Sequence, residues 1–155
     1  MDHMDYKAFF NKLSLKTEPL IDDTTLRDGI QMPGLAVMPE DAAEIAKFLD
    51  EIGVERMELH HYHPLDKKAV KLIKDLSLNI RVAGWCRAVK EDIDESLSCG
   101  FDEIGISHPV SYIHFKAKWP NKTAEELLNR VVEVVEYAAK DQGLKVFVHG
   151  EDSTR

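Results

Sequence analysis

Five clusters of chemistry-bearing side chains punctuate the sequence. Arg27, Asp28 and Gln31 stand in DTTLRDGIQMPG, residues 23–34. Glu58, His60, His61 and His63 follow, then Cys86 with Arg87, then Ser107, His108 and His114. The last cluster is His149, Glu151, Asp152 and Arg155. A carboxylate such as Asp28 is a hard ligand for a divalent cation. The guanidinium beside it can hold an oxygen on which negative charge develops. An exposed loop salt bridge, which contributes little, explains the same pair. Residue types alone leave both readings open.

The elements that must position these residues alternate between strand and helix. Patterning predicts strands over residues 20–23, 56–60, 80–84, 102–107 and 144–148. It predicts helices over 39–52, 64–76, 90–99 and 123–142, with a further helix over 5–16 ahead of the first strand. Pro39 suits a first helical turn, and Gly53, Gly100 and Gly143 each separate a helix from the next strand. Thr123 and Glu126 form a capping box. Such repeats with short connections imply parallel strands and right-handed crossovers. The fold class is therefore α/β, with parallel (β/α) repeats. Either the first five strands of a (β/α)8 barrel or an open flavodoxin-like sheet reads this way. A full barrel takes about 250 residues. Residues 1–155 are accordingly expected to form a single partial barrel domain. An unfinished barrel would expose edge strands and an apolar inner face, so self-association or a missing C-terminal half is expected. In parallel α/β folds ligands bind at the carboxyl ends of the strands. All five clusters fall at such ends, whereas the loops leading from helix to strand hold little but glycine and serine.

Composition narrows the partners. The net charge of −8 over 155 residues argues against nucleic acid, whose phosphates need a basic stripe. No apolar run approaches the roughly 20 residues of a membrane span. Two cysteines, Cys86 and Cys99, lack CxxC spacing, and a reducing, cytoplasmic setting is expected. Cys86 reads as an ordinary buried thiol, and Trp85 and Trp119 as packing residues rather than ligand platforms.

DTTLRDGIQMPG closely resembles the DTTLRDGxQxPG signature of the acyl-CoA-dependent 2-oxo acid condensing enzymes: the 2-isopropylmalate, homocitrate and citramalate synthases, with their lyase relatives. Further stretches resemble the family in order: GVERMEL with Glu58, WCRAVKEDID, SYIHFKAKWPNKTAEELL with His114, and VHGEDSTR. The likeness covers roughly residues 18–155. It implies a TIM barrel and a divalent metal (Mg, Mn or Zn). A 2-oxo acid would chelate that metal, and the enolate of acetyl-CoA would attack its keto carbon. By the same resemblance Asp28 is a metal ligand and Arg27, Gln31 and Glu151 are catalytic. Glu58, Arg87 and Ser107 then bind substrate, and His60, set beside Glu58 by strand phase, is added to them. Arg27 would stabilise the developing oxyanion, and Gln31 would position the substrate.

The sequence departs from the family pattern in places. The resemblance implies a His-x-His metal pair on a seventh strand, beyond the strands counted here, so the chain alone is expected to bind metal weakly and catalyse little. His61-Tyr62-His63 could chelate zinc on a strand, but Pro64 points to a loop or helix start and an incidental role. His60 is in phase with Glu58, so both should face the interior, where a histidine narrows the pocket. Ile30 and Met32 loosen assignment to any one member. A 3-hydroxy acyl-CoA lyase, or a non-catalytic homologue working through assembly, are the other readings; the synthase-like DTTLRDG wording disfavours the lyase.

Overall fold

Alternation along each strand sorts side chains onto two faces. In RMEL, Met57 and Leu59 are buried against the helices while Arg56 and Glu58 point the other way. The computed structural model describes residues 20–154. The expected helix over 5–16 and Arg155 lie outside the described residues.

Strands β1 (Asp22–Asp23), β2 (Arg56–Leu59), β3 (Arg81–Arg87), β4 (Glu103–Pro109) and β5 (Lys145–Glu151) form one parallel sheet in the order β1-β2-β3-β4-β5. A flavodoxin-like sheet would interchange its first two strands. The sequential order instead gives a curled half-barrel with alternating helices. Helices α1 (Pro39–Glu51), α2 (Pro64–Asp75), α3 (Lys90–Ser98), α4 (Tyr112–Lys118) and α5 (Ala124–Glu136) fill the connections. The core lies between sheet and helices, with Ile104 and Ile106 of β4 packed among Val70, Ile73, Ile93 and Val134. Each such isoleucine contributes about 1.5–3 kcal/mol by leaving water. No helix among the described residues is long and apolar enough to cross a membrane.

Three expectations need correction. The inner face is ionic rather than apolar: Arg56 binds Asp22 at 2.7 Å and Glu103 at 2.9 Å, and Arg81 binds Glu103 at 3.1 Å. The inward phase of each strand carries the charges, and opposite signs meet across neighbouring strands. Helix α4 was not foreseen; it is a short helix, with none of its residues buried, and starts because the Ser111 hydroxyl accepts from His114 N at 3.2 Å. The helix expected over 123–142 gives way at Tyr137–Asp141 to a wider π-turn, and Leu144 N donates to the carbonyl of the buried Ala138 at 3.0 Å. The capping box at Thr123 forms as read, with Thr123 N donating to Glu126 Oε2 at 2.7 Å.

Gly105 explains how the ionic layer closes. A Cβ on it would meet the Phe147 ring at 2.6 Å. The bare glycine lets that ring lie flat across β4, where the Arg56 guanidinium stacks on it at 3.6 Å from the centroid.

Candidate functional site

The loop after β1 is shaped by its own polar groups. Asp23 Oδ1 accepts from Thr25 N at 2.9 Å, and Thr24 O accepts from the backbone N–H groups of Arg27, Asp28 and Gly29 at 3.1, 2.8 and 3.1 Å. This tight winding presents Arg27 and Asp28 together at the carboxyl end of the sheet. Arg27 Nη1 contacts Asp28 Oδ1 at 3.1 Å, and its Nε donates to Glu58 Oε2 at 2.9 Å. Glu58 is fully buried, and its other oxygen lies 2.6 Å from His149 Nε2. Burial pushes the Glu58 carboxyl up, but His149 and Arg27 outweigh it and hold the pKa below the ordinary carboxylate range. Asp28 stays 65% exposed, so its contact with Arg27 is a surface bridge; the buried Glu58 is what anchors the guanidinium.

Gln31 Nε2 donates to His60 Nε2 at 3.0 Å, and burial holds the His60 pKa below its usual value. On β3, the bidentate partner of Arg87 is Asp92: Arg87 Nε donates to Oδ2 at 2.9 Å and Nη2 to Oδ1 at 2.7 Å. The Tyr62 hydroxyl donates to the same carboxylate at 2.8 Å. Burial raises the Asp92 pKa, yet Arg87 and Tyr62 bring it below normal. Arg87 is therefore held rigidly while its own side chain stays exposed. Glu151 at the end of β5 is met by Lys118 Nζ at 3.3 Å.

These groups surround a cavity of about 670 Å³ at the carboxyl ends of the strands. Arg27, Asp28, Gln31, His60, Arg87, Ser107 and Glu151 all line it; Glu58 lies beneath, joined through Arg27. Four cationic side chains, Arg27, Arg87, Lys118 and Arg130, face two carboxylates, Asp28 and Glu151, so the cavity suits an anionic ligand. Trp85 and Trp119 also line it, while each packs on neighbouring rings: Trp85 on His60 and Tyr62, Trp119 on His108. The histidine run separates. His61 is fully buried behind the sheet with Nε2 at 2.9 Å from Ser96 Oγ, while His63 caps α2 by accepting from Leu65 N at 3.3 Å. Cys86 packs beside Ser96, and burial pushes its thiol up to about 12.

The sequence places His108 and His149 in their clusters without a specific role, and nothing in it singles out Lys118 or Arg130. Period-two alternation from Glu151 puts His149 on the same face of β5, where it meets Glu58. Lys118, Trp119 and Arg130 reach the cavity from α4 and α5, whose approach no local pattern encodes.

Among the described residues, the Asp, Glu and His side chains close enough to share one ion are Asp22, Glu58 and His149, whose ligand atoms lie within 4.8 Å of one another. Asp28 is outside that group. Asp22 Oδ1 is buried without a hydrogen-bond partner. Two carboxylates and an imidazole are a donor set that could hold manganese or zinc, provided the 2.6 Å contact between Glu58 and His149 opens to admit the ion.

The sheet and the cavity at its carboxyl edge define a barrel-type α/β protein, a fold that carries its ligand site at the strand ends. The chain matches the HMGL-like family over residues 18–155 and belongs to it. It is 42% identical over 146 residues to a homocitrate synthase of Methanocaldococcus jannaschii, covering 93% of this chain and 36% of that protein. It is 37% identical over 153 residues to the 2-isopropylmalate synthase of the same organism, covering 96% of this chain and 29% of that one. The chain thus spans about a third of the length of these relatives. A Bacillus subtilis HMG-CoA lyase shares the fold with a TM-score of 0.64 at 20% identity, over 83% of this chain and 45% of that one.

Proposed function

We propose that this chain supplies the oxo-acid half of a metal-dependent site that condenses acetyl-CoA with a 2-oxo acid. The observation that carries the reading is Arg27, anchored by the buried Glu58 beside Asp28 at the edge of a cation-lined cavity. In the reaction the acyl methyl loses a proton and its carbon bonds to the keto carbon. The keto oxygen takes up negative charge and then a proton, and thioester hydrolysis releases CoA. Arg27 donates to that oxygen as charge grows, already oriented before the reaction begins. Arg87, pinned by Asp92, binds the substrate carboxylate. Gln31 and His60 bound the pocket on one side and Ser107 and Glu151 on the other, orienting the oxo acid. Asp28 is the residue the sequence motif assigns to the metal, and Asp22, Glu58 and His149 are the group whose spacing could share one. When bound, a divalent metal supplies Lewis-acid polarisation of the keto group. The names of the relatives favour condensation over the lyase direction.

Calorimetry of the chain with 2-oxoglutarate, pyruvate or 2-oxoisovalerate, with and without Mn²⁺, tests this. We expect one oxo acid to bind at least about tenfold more tightly with metal, and Asp28→Asn to weaken that binding, a difference of about 1.4 kcal/mol. Metal-independent binding, unchanged in Asp28→Asn, would contradict the metal assignment.

A further inference from the structure

His108 is an acceptor waiting for a donor. It sits on β4 directly after Ser107, 7% exposed, and lines the same cavity. Its ring stacks on Trp119 with centroids 5.1 Å apart and planes 4° from parallel, and Phe115 lies on another side at 6.1 Å. Its Nδ1 lies 2.7 Å from Pro109 O. A carbonyl oxygen can only accept, so Nδ1 carries the hydrogen. The neutral ring then bears its lone pair on Nε2, which is buried and has no hydrogen-bond partner. Burial keeps His108 below the usual histidine pKa, which favours this neutral form. Of the buried polar atoms left unsatisfied among the described residues, only this one belongs to a side chain lining the cavity.

We propose that His108 is a specificity-determining residue whose Nε2 accepts a hydrogen bond from the hydroxyl of a hydroxydicarboxylate held in the cavity. The inference rests on reading the cavity as the condensation site. The ligand must bring negative charge for Arg87, Lys118 and Arg130, and a donor for His108. A 2-oxo acid has carboxylate and carbonyl oxygens but no donor, and a carbonyl lone pair would repel that of Nε2. The condensation itself creates the donor: the keto oxygen becomes a hydroxyl, and the hydrolysed thioester becomes a second carboxylate. His108 therefore distinguishes the product class from the substrate class. A buried acceptor left unpaired penalises a ligand that lacks the hydrogen.

Malate and succinate differ only in that hydroxyl. Titration of each into the chain, and into His108→Phe and His108→Gln, isolates its contribution. Phenylalanine keeps the stacking on Trp119 without the acceptor; glutamine restores an acceptor oxygen. We expect malate to bind about tenfold more tightly than succinate, the preference to vanish in His108→Phe, and His108→Gln to recover part of it. On malate addition the ¹⁵N resonance of His108 Nε2 should move while that of Nδ1 stays, a readout a purely structural role would not give. Equal affinity of the two acids in the unaltered chain, or a preference that survives in His108→Phe, would overturn the inference and leave the anion-binding cavity standing. Failure of both acids to bind would overturn the inference together with the reading of the cavity.

Discussion

At the residue scale, the site is built on held arginines. Arg27 shares Glu58 with His149, and Arg87 shares Asp92 with Tyr62. Each guanidinium has its planar fork fixed by a buried carboxylate before any ligand arrives, so less entropy is lost when an anion binds. Asp92→Asn would keep the shape and the α3 position of that residue but remove the charge that pins Arg87. We expect an oxo acid to bind about tenfold more weakly, about 1.4 kcal/mol, with the circular dichroism spectrum unchanged. Unaltered affinity would show that Arg87 needs no such holder. Much of this was legible in the sequence: the phase of Glu58 and His60 follows from alternation, and Arg27 and Asp28 from their motif. The anchoring was not, because Glu58 and His149 are 91 residues apart and only the sheet brings them together.

At the element scale, strand order decides what each loop residue can reach. The rhythm of strand, helix and glycine foretold parallel strands, but residues 20–23 and 144–148 alone do not distinguish barrel from open sheet. The ionic inward phase was written in Asp22, Arg56, Arg81 and Glu103, yet each reads as solvated until its neighbour across the strand is known. Residues that alternate off that phase are sealed behind the sheet, and His61 of β2's extension is one of them. Burial holds its pKa below the ordinary value. The unfolded chain binds a proton there near pH 6.5 while the folded chain does not, so the contribution to stability is intact above that pH. It is lost as pH falls through about 6.5 toward the folded pKa, by up to about 1.4 kcal/mol per pH unit. The urea midpoint should therefore drop between about pH 7.5 and about pH 5.5, and His61→Gln should make the drop smaller. An identical drop in that variant would mean His61 titrates freely.

At the scale of the whole molecule, β1 and β5 are the edges of the sheet among the described residues, and Leu20, Ile21 and Val148 near them are exposed. We expect copies of this chain to associate through those edges, with salt weakening the contact because the inner face is ionic. Sedimentation at micromolar concentration should show species larger than 17.6 kDa; a monomer throughout would contradict this. The central claim is narrower than assembly: the cavity at the strand ends binds a 2-oxo acid through Arg27. The two tryptophans of the chain, Trp85 and Trp119, both line that cavity, so intrinsic fluorescence reports directly on its occupant. The measurement is a titration of tryptophan emission with 2-oxo acids in the presence of Mg²⁺, on the chain and on Arg27→Gln. We expect a saturable change with at least one oxo acid that is lost or shifted at least about tenfold in Arg27→Gln. No saturable change with any oxo acid, or the same curve without the arginine, would contradict it.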